Sequence, residues 1–227
     1  MTAKRTGDAK RRQQMDELKS VSNRKDARIA VLALRKPSAE KIANFLAAQA
    51  MLDLTYSAVG ATATTQPPGY VVDHTRIALG KGQDIFLAAR AALECWEQFH
   101  LTWVEAVPAT TPIKEGAVVA VLAHSLGLWW LNACRIVYVV AEENRFGFAY
   151  GTLPDHMASG EERFLIEWDR NDGNVWYDIL PFSRPHGLLA RLGYPWMRRV
   201  QKRFAQESAA ALRKAVGCAS GIEEKKA

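Results

Sequence analysis

The chain has 227 residues, 48% of them hydrophobic and 24% charged, with 15 glycines and 9 prolines and a mean hydropathy of −0.16. This excludes a collagenous, mainly disordered or disulfide-stapled protein, and the length is enough for one domain with a sizeable core. The formal charge of +6 is unevenly placed: residues 1–36 carry eleven Lys/Arg against four Asp/Glu, which leaves 37–227 at about neutral.

The division that follows is a basic arm over 1–27, a single domain over 28–217 and a polar tail over 218–227. The arm has no aromatic residue between Lys4 and Arg28. A nucleic-acid module carries its basic patch on the fold, among base-stacking groups. Two readings of the arm remain: a solvated, disordered extension, or a weak electrostatic contact for nucleic acid or an anionic membrane. It has no apolar stretch of the secretory kind, and Asp8, Asp16 and Glu17 speak against an organellar transit peptide, so a cytoplasmic location is the expectation. Cys95, Cys134 and Cys218 form no Cys-x-x-Cys pair, and neither a disulfide framework nor a metal or cofactor is expected. Ala117 to Cys134 lacks charged residues, but His124, Gly127 and Asn132 interrupt it, and two buried strands fit it better than a membrane span.

In chain order, Arg28–Leu34 is a short apolar run. Ser38 then caps a helix to about Ala50, with Ile42, Phe45, Leu46 and Ala50 on one face. A Thr-, Gly- and Pro-rich loop spans 60–69, and Tyr70–Leu79 reads as a strand ended by Gly80-Lys81-Gly82. A helix from Gln83 to about His100 carries the stripe Ile85, Ala89, Ala92, Trp96 and Phe99. Six strands follow: Leu101–Val107, Ala117–Ser125, Asn132–Glu142, Arg145–Thr152, Glu162–Asp169 and Val175–Phe182. The turn Asn171-Asp172-Gly173-Asn174 joins the last two, and a two-residue Asp-Gly loop would set Trp168 against Tyr177 and Glu167 against Asp178. That acidic pair is either a solvated face or a functional site. Pro185 opens a C-terminal helix interrupted near Gly193 and Pro195 and stopped at Gly217, with Trp196, Met197, Val200, Phe204, Ala211 and Leu212 on its apolar face.

The expected class is α+β: a curved antiparallel sheet of about seven strands wrapped around a long C-terminal helix. This order resembles the START-like, or Bet v 1-like, helix-grip fold, which implies a cavity between sheet and helix. A further resemblance covers roughly residues 35–215. The run Phe146-Gly147-Phe148-Ala149-Tyr150-Gly151-Thr152-Leu153-Pro154-Asp155-His156, then Ser159-Gly160-Glu161-Glu162-Arg163-Phe164, Phe182-Ser183-Arg184-Pro185, Thr55 to Thr62 and Leu79 to Gly82 resemble the signature of the DUF1990 family. Asp155 stands where that pattern has Gly. The resemblance implies no established activity.

No Walker A loop, His-Glu-x-x-His or Gly-x-Ser-x-Gly is present. Chemistry is left to the polar cluster at 150–163. Tyr150 shares a face with Phe146 and Phe148, so its hydroxyl needs a partner inside. His156 with Glu161 or Glu162 has the composition of a general acid and base. Tyr150, His156, Glu162, Arg163 and Arg184 are the candidate ligand contacts, and the alternative is that these groups fasten the loop to the last helix. Three functions follow from these readings: binding of a hydrophobic small molecule or lipid, a cyclase-, dehydratase- or hydrolase-type enzyme in the same cavity, or an interaction protein acting through its arm.

Overall fold

The computed structural model describes residues 32–219. The proposed basic arm and most of the tail lie outside them.

The sheet has nine strands in seven lateral positions, all pairings antiparallel. They are β1 (Leu32–Ala33), β2 (Val71–Val72), β3 (Thr75–Lys81), β4 (Val104–Val107), β5 (Val118–Ser125), β6 (Leu128–Ala141), β7 (Arg145–Thr152), β8 (Ala158–Trp168) and β9 (Asn174–Pro185). The lateral order is β2-β9-β8-β7-β6-β5-β4. The strand read over Tyr70–Leu79 is broken into β2 and β3 at Asp73 and His74, and both halves pair with β9. β1 pairs with Trp129 and Trp130 of β6, beyond the part of β6 that β7 reaches.

Four helices complete the domain: α1 (Ala39–Gln49), α2 (Gln83–Glu94), α3 (Gly187–Leu192) and α4 (Tyr194–Ala219). Ser38 caps α1 by accepting a hydrogen bond from the Lys41 amide. α2 ends earlier than its apolar stripe. Trp96 sits in the left-handed region at φ 59°, and its indole donates to the Thr111 carbonyl at 2.8 Å, so Trp96 and the fully buried Phe99 reach the core from irregular backbone. Pro185 closes β9 instead of opening a helix, because the strand pairing runs on to Ala158. Gly193 does separate two helices, whereas Gly217 lies inside α4.

The β8–β9 register also differs from the expected one. Asp169 and Asn174 bracket a four-residue turn, so Trp168 faces Val175 and Ile166 faces Tyr177. The shift is by two residues, and the apolar face is preserved because strand side chains alternate with period two. Glu167 therefore faces Trp176 and Asp178 faces Leu165. The two carboxylates are bridged by Arg76 of β3, at 2.8 Å from Glu167 and 3.3 Å from Asp178.

Both faces of the sheet are covered. Inside, Phe148, Phe164, Tyr177 and Ile179 pack on α2, Trp96, Phe99 and the Ala209, Leu212 and Val216 stripe of α4. Outside, Ile42 and Phe45 of α1 lie on Ala120, Leu122, Leu131 and Ala133. β5 and the first half of β6 are thus buried on both sides, which is why they read as one continuous apolar run. The turn between them holds Leu126 at φ 55° and Gly127 at φ 72°, the pair of positive values that a type I′ turn requires. Arg135, placed in this apolar strand, finds carbonyls: it donates to Ala50 and Leu52 at 2.8 and 2.9 Å, beside the C-terminus of α1.

Gly147 has no room for a side chain, since a Cβ there would overlap the Phe164 carbonyl of β8. Gly147→Ala is expected to lower unfolding free energy by about 2 kcal/mol or more, read by urea denaturation; an unchanged midpoint would show that the β7–β8 ladder yields.

Candidate functional site

Between the concave face of the sheet and α3–α4 lies a cavity of about 600 Å³. Its walls are largely apolar: Trp103, Val121 and Ala123 from the sheet, and Met197, Val200 and Phe204 from α4. Trp196 closes the rim with its indole N–H on Ser125 Oγ at 3.1 Å. The aromatic cluster of Trp96, Phe148, Phe164, Phe99 and Phe204 fills one end of the interior. The cavity wall mixes small side chains, among them Ala123, Ala158, Ala190 and Ala205, with larger ones such as Trp130, Met157 and Trp196.

Tyr150 and Glu162 are direct cross-strand partners on β7 and β8. Both face the cavity, and the tyrosine hydroxyl donates to Glu162 Oε2 at 2.7 Å. Among the described residues this is the sole hydrogen bond made by the Glu162 carboxyl, so Oε1 is left to the cavity. Enclosure away from bulk solvent pushes the Glu162 carboxyl from 4.5 up to about 7; the Tyr150 bond opposes that rise and the charge of Asp73 adds to it. Burial, reinforced by the charge of Glu162, likewise holds the Tyr150 hydroxyl well above its usual value, so it keeps its proton.

His156 also lines the cavity, from the turn between β7 and β8. Its Nδ1 accepts from the Ala158 amide at 2.9 Å, which puts the ring proton of the neutral form on Nε2. Burial lowers its pKa from 6.5 to about 4, and nearby His186 adds to this. Three contacts fasten that turn. Asn132 Oδ1 accepts from the Met157 amide at 3.2 Å, Gln49 donates to Asp155 at 2.7 Å, and Leu153 is buried beneath α1. Asp155 thus ties this turn to α1 through Gln49.

The other candidates point elsewhere. β8 starts at Ala158, so Glu161 and Glu162 belong to a ladder, not to a loop, and their side chains take opposite faces. The Glu161 carboxylate, 2% exposed, accepts from Tyr56 Oη at 2.6 Å, the Gly60 and Thr62 amides at 2.7 and 3.0 Å, and Thr62 Oγ1 at 2.5 Å. With every acceptor site used, it cannot serve His156 as acid or base. Arg163, on the same outer face, donates to the Thr62 carbonyl at 2.9 Å and to Asp178 at 2.7 Å. Asp178 is buried and also meets His74 at 2.6 Å, and its carboxyl is held below the usual range, with burial opposing these partners. Arg184 lies over the Tyr70 ring at 4.6 Å, away from the cavity. The structure thus brings together Tyr150, Glu162 and His156 and leaves out Glu161, Arg163 and Arg184.

Sequence reasoning missed Asn132 as the support of the His156 turn, and it missed two ties to α4. Arg198 of α4 clamps Asp73, which lines the cavity, with two bonds of 2.6 and 2.7 Å, and within the core Tyr177 meets Ser208 of α4 at 3.2 Å. The break in the β2–β3 strand at Asp73 is the signal that could have pointed there. Among the described residues no group of three or more His, Cys, Asp or Glu could hold a metal ion, and no helix is long and apolar enough to cross a membrane.

An antiparallel sheet that grips a long C-terminal helix across an internal cavity defines the helix-grip class of α+β proteins. The chain belongs to the DUF1990 family, described as a domain of unknown function, whose profile matches residues 55–211. It is 41% identical over 157 residues to a UPF0548 protein of Dictyostelium discoideum, covering 64% of this chain and 73% of that one. A UPF0548 protein of Deinococcus radiodurans is 34% identical over 197 residues, covering 82% and 98%. Among solved structures, human STARD10 superposes at a TM-score of 0.43 with 12% identity over 80% of each chain.

Two expectations separate the neighbouring carboxylates. Glu161→Ala strands several buried donors and is expected to cost about 3 kcal/mol in urea unfolding; a loss below about 1 kcal/mol would mean that the outer loop is held by other contacts. Glu162 has a folded pKa above its unfolded one, so its contribution to stability is full below pH 4.5 and is lost as pH rises through about 7. His156 works in the opposite sense, its neutral form costing stability as pH falls from 6.5 toward 4. The difference between wild type and Glu162→Gln isolates the carboxyl. From pH 5 to pH 8 wild type should lose about 2 kcal/mol relative to the variant, and parallel profiles would contradict the raised pKa.

Proposed function

We propose that this protein binds a hydrophobic small molecule or a lipid chain in the cavity between its sheet and α4. The observation that carries this reading is a chamber of about 600 Å³ with largely apolar walls, on which Tyr150 and Glu162 form a hydrogen-bonded pair. Ligand sites generally have this size and this ratio of apolar wall to placed polar groups. Burial of apolar ligand surface supplies affinity, roughly 25 cal/mol per Å², while the polar pair and His156 orient the ligand. The aromatic end of the core cannot collapse into the chamber, because its rings already pack on one another and on α2.

The reading is tested with an environment-sensitive naphthalene sulfonate dye. Val200 lines the cavity from α4 and is partly buried, so Val200→Trp would fill the chamber. Dye affinity is expected to fall tenfold or more (about 1.4 kcal/mol) while the thermal midpoint is kept. Equal dye binding by wild type and the variant would place the dye elsewhere and remove the support for a ligand chamber.

A further inference from the structure

We propose that Glu162 recognises its ligand as a neutral carboxylic acid, donating the Oε1 proton to a single acceptor oxygen, so that the chamber selects apolar molecules bearing a ketone or similar carbonyl. This rests on the reading of the cavity as a ligand site and specifies the class of molecule it takes.

The argument begins with one proton on Tyr150. A phenol has a single O–H to give, and here it points to Glu162 Oε2 at 2.7 Å. A carboxylic acid cannot comfortably carry its own hydrogen on the oxygen that already accepts one, so Tyr150 steers that hydrogen onto Oε1. Among the described residues Oε1 has no protein partner, and the Glu162 side chain lines the chamber. The Tyr150–Glu162 pair therefore presents one donor on a wall that is otherwise largely apolar. A buried donor without an acceptor is costly, whereas a carbonyl oxygen placed against it satisfies both groups.

Charge in the surroundings decides which form of the acid is present. The ionisable groups that face Glu162 are Tyr150 of β7, Cys134 of β6 and Tyr177 of β9, all buried, and Asp73 from the β2–β3 break. Burial raises the three neutral ones, so none supplies a charge to hold a carboxylate, and Asp73 is tied to Arg198. Among the described residues no ion pair or hydrogen bond joins a cation to Glu162. His156 on the wall is held neutral by burial, and the further basic groups of the lining, His74 at the β2–β3 break and Lys202 of α4, make no bond to Glu162. A plain hydrocarbon would leave the donor unmet.

The test compares two probes that share one tricyclic skeleton, 9-fluorenone and fluorene, each measured by displacement of the naphthalene dye at pH 6.0 and pH 8.5. Wild type should bind the ketone about tenfold more tightly than the hydrocarbon at pH 6.0, as expected of one well-made hydrogen bond, and the preference should shrink to less than about twofold at pH 8.5, where the carboxylate has no proton to give. Glu162→Gln keeps an N–H donor at any pH and should retain the ketone preference at both values. Glu162→Leu should lack the preference at both values while still binding the dye. A ketone-to-hydrocarbon ratio near one, or a ratio that does not change with pH in wild type, overturns the proposal and leaves the cavity reading in place. If the dye itself does not bind, the cavity reading falls and this proposal falls with it.

Discussion

A buried carboxylate with no cation must be met by donors, and Glu161 meets this condition by drawing in a loop. Its two oxygens collect Tyr56, Gly60 and Thr62, which wraps residues 55–62 against the outer face of the sheet. The wrap is close only because β7 offers glycine there: a Cβ on Gly151 would strike the Tyr56 ring. Thr62 passes the arrangement on, through its hydroxyl to Tyr138 and through its carbonyl to Arg163, and Arg163 reaches Asp178. Tyr138 can take part because a bulge between Ile136 and Tyr138 turns it outward, while Val139 returns to the core. Polar side chains of three strands and one loop are thereby held on the convex side, and the concave side is left to the apolar core and the cavity.

The chamber borders the aromatic core. Aromatic side chains gather where α2, Trp96, Phe99 and the C-terminal half of α4 meet the sheet, and the chamber lies against that cluster at Phe99, Tyr150 and Phe204. Tyr150 stands at the border, its ring among Phe99, Phe148 and Phe164 and its hydroxyl toward the chamber. The carboxyl it holds is therefore placed by the core itself.

Much of this architecture could be read from residue patterns. Ser38 announced α1, the stripe from Ile85 to Phe99 announced α2 and its buried extension, and the interruption at Gly127 divided an apolar run into two strands. Periodicity failed where tertiary pairing decided. The β8–β9 turn took four residues instead of two, and Asp169 accepts from the Gly173 amide across it. Pro185 stayed in a strand because Ala158 supplied a partner. The costliest error was the start of β8: reading 158–161 as loop put Glu161 beside Glu162, whereas the pleat sets them on opposite faces. Asp178, Asn132 and Asp73 carry no motif, and their roles exist only once distant strands are assembled.

Two adjacent glutamates with opposite duties also act as a ratchet on strand alignment. Sliding β8 by one residue would present Glu161, evolved for four donors, to a greasy chamber, and would present Glu162 to a loop whose amides it could not reach in the same geometry. Misalignment thus incurs two separate penalties. It follows that the wall of the cavity can change in shape and polarity while the outer lock preserves the alignment.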